Sequence, residues 1–203
     1  RGNNMMFIPW VDAALAPAID GRIESGEWKR SQKSAGFVQA DSNLVPGKRG
    51  FIYFCRDDQF LYIAVRTSAL NNDPGGGLTT NAKEHDGRVY NDDSVELLLV
   101  PDVDENAVHQ IILNSGGVVF DQKNSVSPKG SNPQWNIQGM RVGSRAESGW
   151  WDLEVAIPLA EIGEPDKLLK LNVARNWSGI GTSAMNATKS YSDQSNMVKL
   201  YWN

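Results

Sequence analysis

The chain has 203 residues, a formal net charge of −4, a pI near 5.2, two histidines and one cysteine. That length suits a single domain over residues 1–203 with a sizeable core. The acidic balance argues against a general nucleic-acid or anionic-membrane surface. No apolar run approaches the ~20 residues that cross a bilayer, so no membrane insertion is expected. Cys55 has no partner for an internal disulfide. Beginning with Arg1 rather than Met, the chain reads as a processed or excised piece.

Within residues 1–18, Met5, Met6, Phe7, Ile8 and Trp10 stand beside Pro9 and Pro17, which suits an edge strand or extended lead-in better than a helix. Asp20-Gly21 signals a turn, and Trp28 follows at a distance that lets its indole fold back onto the core. Residues 49–67 hold two β-branched and aromatic runs separated by Asp57-Asp58-Gln59, the pattern of a hairpin. Leu61, Ile63 and Val65 take its core face and Tyr62, Ala64 and Arg66 the other. Residues 68–92 form a long polar stretch containing Pro74-Gly75-Gly76-Gly77, and loops of this length inside a domain are often functional.

The segment around which the rest is organised is residues 88–101, RVYNDDSVELLLVP. Its strand places Val95, Leu97 and Leu99 on one face and Ser94, Glu96, Leu98 and Val100 on the other, so Glu96 sits among apolar neighbours. The strand over 108–114 puts Val108, Gln110, Ile112 and Asn114 on one face, and Ser115-Gly116-Gly117 turns it into VVFD. A polar loop with Pro128 and Pro133 leads to residues 134–142. In WWDLEVAIP, Trp151, Leu153 and Val155 face the core while Trp150 lies with Glu154, and residues 158–163 make one helical turn between a proline and a glycine. Residues 168–177, a loop to Ser190, and a last strand over 197–202 complete the chain. Short strands recur with turns between them, and no long 3.6-residue period competes. The expected fold is therefore all-β, a jelly-roll-like antiparallel β-sandwich of two sheets.

Catalytic patterns are weak. His85 and His109 lack metal-ligand spacing, and His109 shares the apolar face of Ile111 and Leu113. Asp92, Asp93 and Glu96 permit a paired-carboxylate reading, but aspartates are common at turns and strand starts. Aromatic rings beside hydrogen-bonding side chains are the clearer signal: Tyr90, Glu96, Gln110 and Asn114, with Trp177 and Tyr191 later. Sugars present apolar C–H faces that stack on aromatic rings and hydroxyls that carboxylates and amides bond.

The ordered set IDGRIESGEW, DDQFLYIAV, YNDDSVELLLVPD, HQIILNSGGVVFD, WWDLEVAIPLAEIG and LNVARN resembles carbohydrate-binding module family 9 and its DOMON-like relatives over about residues 19–176. The resemblance implies a non-catalytic β-sandwich of a secreted, cell-surface or periplasmic protein, appended to a polysaccharide-degrading enzyme and binding an oligo- or polysaccharide. A monomer or a module of a larger chain is expected. On the family's pattern the first aromatic falls on Tyr90, the Glu on Glu96 and the Asn on Asn114. The family's Arg falls on Ile112 and its Gln on Ala174, neither of which can bond a hydroxyl, and Tyr191 or Trp177 stands in for the second aromatic. The family's calcium site implies Asp73 and Asp86 as ligands. DOMON-like relatives also include haem-binding electron-transfer domains, which would need Met or His ligands facing an apolar pocket.

Overall fold

The two-residue alternation of apolar side chains becomes two stacked sheets in the computed structural model, which describes residues 5–39, 50–69, 77–101, 104–163, 169–188, 190 and 193–202. The strands are β1 (Met5–Ile8), β2 (Gln32–Ala35), β3 (Val38–Gln39), β4 (Gly50–Arg56), β5 (Phe60–Ser68), β6 (Ser94–Pro101), β7 (Ala107–Asn114), β8 (Val119–Ser125), β9 (Gly130–Asn132), β10 (Arg141–Glu147), β11 (Trp150–Pro158), β12 (Leu169–Trp177), β13 (Gly181–Ala184) and β14 (Val198–Trp202), with one helical turn, α1 (Leu159–Ile162). The larger sheet runs β1-β14-β12-β6-β7-β8-β9, with β13 and β3 continuing from β12, and the smaller runs β10-β11-β5-β4-β2. Among the described residues, the pairings between these strands are antiparallel except that of β1 with β14. Among the described residues, no helix is long and apolar enough to cross a membrane.

The core lies between the sheets, where Leu61, Ile63, Val65, Leu153 and Val155 of the small sheet meet Val95, Leu97, Leu99, Ile111 and Leu113 of the large one. All ten follow the expected parity. Val95 is fully buried there, so Val95→Ala should lower the unfolding free energy by about 2–3 kcal/mol, through lost transfer energy and a residual cavity. Urea denaturation checks it, and a loss below about 0.5 kcal/mol would mean that the site collapses freely.

The outer face of the small sheet is covered by the segment after β1. Val11, Ile23 and Trp28 pack there on Cys55, Tyr62, Ala64 and Ala156. Two carboxylates of β11 fasten the segment. Glu154 accepts from the backbone N–H groups of Gly21 at 2.8 Å, Asp20 at 3.1 Å and Arg22 at 3.2 Å, and from Trp28 Nε1 at 2.8 Å. Asp152 accepts from Ile23 N at 3.1 Å and from Arg66. Gly21 has φ of +85° and passes so close to the β10 backbone that an added Cβ would lie 2.8 Å from the Ser144 carbonyl carbon. The motifs IDGRIESGEW and WWDLEVAIP are thus two halves of one clip.

Three differences from the sequence expectation stand out. β13 occupies the stretch expected as loop, held by its pairing to β12. β10 starts at Arg141, near the end of the 134–142 stretch. β3 is a two-residue strand that pairs antiparallel with β13. Strands as short as β3 and β13 carry too few residues to display a period and exist because a neighbouring edge offers hydrogen bonds.

Candidate functional site

The face of the large sheet that points away from the core is set by register. Phe120, Ile112, Glu96, Ala174 and Ala184 form one row across β8, β7, β6, β12 and β13. Asn114, Ser94, Asn176 and Thr182 form the next, and Gln122, Gln110, Leu98 and Asn172 lie on the opposite side of the first. Farther along, Leu98, Val100 and Val108 are buried under Met197 and Val126, so that end of the face is closed.

Glu96 stands at the centre, flanked in register by the apolar Ile112 and Ala174. Its hydrogen bonds come diagonally. Gln110 Nε2 donates to Oε1 at 2.5 Å and Asn176 Nδ2 to Oε2 at 3.3 Å. Gln110 Oε1 accepts from Gln122 Nε2 at 2.7 Å and Asn124 Nδ2 at 2.8 Å, while Thr182 Oγ1 donates to Asn176 Oδ1 at 2.9 Å. A continuous polar chain therefore crosses the sheet from β13 to β8 through one carboxylate. Burial pushes the Glu96 pKa above the ordinary glutamate value, against the hydrogen bonds from Gln110 and Asn176.

Tyr90 lies in a short 3-10 turn, Val89–Asn91, packed over β6, β7 and β8. Its ring is 51% exposed and meets Phe120 edge-on, with centroids 5.5 Å apart. The two rings make an aromatic ledge at one end of the Glu96 row. Phe120 and Glu96 stand two strands apart, about 9–10 Å, with the buried Ile112 between them.

The turn is positioned by two aspartates. Asp92 accepts from Asn81 N at 2.9 Å, Ala82 N at 3.0 Å and Asn114 Nδ2 at 2.9 Å. Asp93 accepts from Thr79 N at 2.8 Å and pairs with the fully buried Arg175 at 2.9 Å. Both carboxylates are buried, so neither is presented to a substrate as a glycosidase acid or base would be.

Of the residues singled out from the sequence, the structure brings Glu96 and Gln110 together and sets Tyr90 on the ledge. Asn114 has the expected parity, but it is fully buried and its amide is spent on structure. Nδ2 donates to Asp92 and to the Ala82 carbonyl, and Oδ1 accepts from Gly116 N and Val118 N, each at 3.0 Å. It braces the Tyr90 loop rather than facing outward. Trp177 lies on the core side with Leu171, Val173 and Arg175, stacked on the Arg175 guanidinium at 4.0 Å and donating to Ser183 Oγ at 2.9 Å. Counting in twos from Leu171 would have assigned it there. Tyr191 and Asp73 lie outside the described residues. Sequence reasoning missed Phe120, Gln122, Asn124, Asn176 and Thr182, whose signal was parity with Ile112 and Glu96 across strands not yet paired. His109 has inner parity and stacks on Trp135, with centroids 4.7 Å apart, and burial pulls its pKa down to about 4, leaving it neutral. Asp86 approaches His85 and Asp121. That set contains an imidazole and few oxygens, which does not fit the six to eight oxygen ligands calcium prefers.

The fold is similar to that of solved carbohydrate-binding modules of family 9. The structure of a candidate carbohydrate-binding protein from Bacteroides uniformis superposes with a TM-score of 0.77 at 13% identity, covering 98% of this chain and 99% of that one. A family 9 module from Caldicellulosiruptor kristjanssonii in complex with cellotriose gives a TM-score of 0.70 at 14% identity, with 98% and 93% covered. A family 9 module from the same organism in complex with glucose gives 0.69 at 14%, with 98% and 95% covered. No family model and no curated protein matches the sequence, so the similarity is one of fold.

Proposed function

We propose that this chain is a non-catalytic carbohydrate-binding module, holding a sugar ring against Tyr90 with its hydroxyls bonded by the Glu96 cluster. The observation that carries the reading is the pairing of an exposed aromatic ledge with a hydrogen-bonded carboxylate on one sheet face of this fold. The exposed Tyr90 ring suits the C–H face of a pyranose, and Glu96 with Gln110 and Asn176 offers both acceptors and donors to hydroxyls. The bound partner is an oligo- or polysaccharide. In the full protein, the module serves an exported polysaccharide-degrading or glycan-capturing chain and works as a monomer or appended unit.

Affinity should fall in the micromolar to millimolar range, because one stacked ring and a few solvent-competing hydrogen bonds leave a small surplus after desolvation and ordering. A glycan array followed by calorimetry on the best ligand tests the proposal. Tyr90→Ala should weaken binding about tenfold, equivalent to roughly 1–1.5 kcal/mol of ring contact, with little change in stability because the ring is half exposed. Absence of binding to every glycan, or binding indifferent to Tyr90, would overturn it.

A further inference from the structure

The outer face of the small sheet carries a second cluster that the Tyr90 site does not use. Two rows stand there in register: Arg145, Asp152 and Arg66 across β10, β11 and β5, and beside them Glu147, Trp150 and Ser68. The stretch from Gly21 to Glu24, fastened by Asp152 and Glu154, walls one side, and a cavity of about 320 Å³ opens between it and Trp150. That is the lower end of the roughly 300–1,000 Å³ typical of small-molecule sites.

The walls are set by the fold. Glu147 and Trp150 pair across a two-residue turn in which Ser148 and Gly149 have φ of +54° and +80°, the type I′ sense that suits strand twist, and the Gly149 carbonyl accepts from Ala69 N at 2.9 Å. Trp150 is thereby held at the mouth, 37% exposed. Arg66 pairs side-on with Asp152, Nε donating to Oδ1 at 2.7 Å and Nη2 to Oδ2 at 2.5 Å, and Nη2 also donates to the Ile23 carbonyl at 3.1 Å. Its Nη1 makes no hydrogen bond among the described residues. Arg145 Nε donates to Glu147 Oε2 at 2.9 Å, which leaves the two Arg145 Nη groups and Glu147 Oε1 to a ligand.

The charges of the lining cancel: Arg22, Arg66 and Arg145 stand against Glu24, Glu147 and Asp152. An ion of either sign gains no net attraction there. A neutral polyhydroxylated ring finds an indole face for its C–H groups, fixed N–H donors, and a carboxylate oxygen as acceptor.

We propose that this cavity is a second binding site, for a neutral saccharide, in which Trp150 stacks on the ring and Arg66, Arg145 and Glu147 bond its hydroxyls. It lies on the opposite side of the sandwich from Tyr90 and stands on its own residues, independent of the reading of that face. With both sites filled, one chain bridges two glycan strands.

Titration with the methyl glycosides of glucose, galactose, mannose and xylose, followed by NMR at the indole and guanidinium N–H signals, tests the site in the full chain. Trp150→Phe and Arg66→Lys each remove one signal and so assign it. At least one glycoside is expected to shift the Trp150 and Arg66 signals saturably, with a dissociation constant on the order of millimolar, and to do so equally in Tyr90→Ala. Trp150→Ala, read at Arg66 Nε, should weaken binding about tenfold. Arg66→Lys keeps a cation beside Asp152 but loses Nη1, and should weaken binding severalfold when read at the Trp150 indole. If Arg66→Lys disturbs the covering segment, Trp150→Ala still decides, because that ring sits at the mouth and fastens nothing. No saturable shift at Trp150 with any of the four, binding unchanged in Trp150→Ala, or tighter binding of methyl glucuronide than of methyl glucoside would each overturn the proposal. A response at Trp150 without one at Tyr90 leaves this site standing and removes only the Tyr90 reading; a response at Tyr90 alone does the reverse.

Discussion

Asp93→Ala is expected to lower the unfolding free energy by about 3–5 kcal/mol, a larger loss than any other single change considered for this protein. Arg175 is fully buried between Trp151 at 5.0 Å and Trp177 at 4.0 Å, and its charge is balanced by Asp93 at 2.9 Å. Burial pulls the guanidinium pKa down to about 10 against the pull of Asp93, so it still carries its charge near neutral pH. Removing the carboxylate leaves that charge with the two indole faces and the Asn176 carbonyl, and frees Thr79 N at the root of the Tyr90 loop. Combining Asp93→Ala with Arg175→Met should recover part of the loss, because a buried pair replaced by apolar volume is often near neutral. Urea denaturation of both variants checks this. A single variant costing under 1 kcal/mol, or a double variant worse than the single, would show that the pair is not what holds this region.

Glu96→Gln should weaken glycan binding by about 10–100-fold, the equivalent of the 1.5–3 kcal/mol typical of a hydrogen bond to a charged group, while the fold is retained. The substitution keeps shape and removes the anion that Gln110 and Asn176 both address. Acidification should act in the same direction. Because burial raises the Glu96 pKa, the carboxylate is lost at a pH above the ordinary glutamate value of about 4.3, and affinity for a neutral sugar falls through that window. The linkage to stability has the opposite sign. A carboxyl whose folded pKa is raised contributes stability below its unfolded pKa and loses that contribution as pH rises through the folded one, so the acid loss of binding is not unfolding driven by Glu96. Calorimetry across pH, with Glu96→Gln as a flat reference, separates the two. A wild-type affinity independent of pH would remove Glu96 from the contact.

The positions that alternation assigns were legible before any pairing was known. Val95, Leu97 and Leu99 against Glu96, or Leu61, Ile63 and Val65 against Tyr62, are decided by a period of two within one strand. Trp177 was equally legible and misread, because an indole near the end of the chain invites a ligand role that its parity with Val173 denies.

By itself, then, the sequence determined the sandwich, its core residues, the hairpin at residues 56–60, and the presence of a carboxylate among apolar neighbours on an outer face, since all of these follow from local period and turn chemistry. Only the tertiary structure decided what stands beside what. Phe120 meets Tyr90, Asn176 reaches Glu96 across 80 residues of chain, Asn114 turns inward to Asp92, and His85 finds Asp121 across 36 residues of sequence. Those contacts depend on strand order and register, which are set by long-range packing and hydrogen bonding between segments whose one-dimensional pattern does not name a partner.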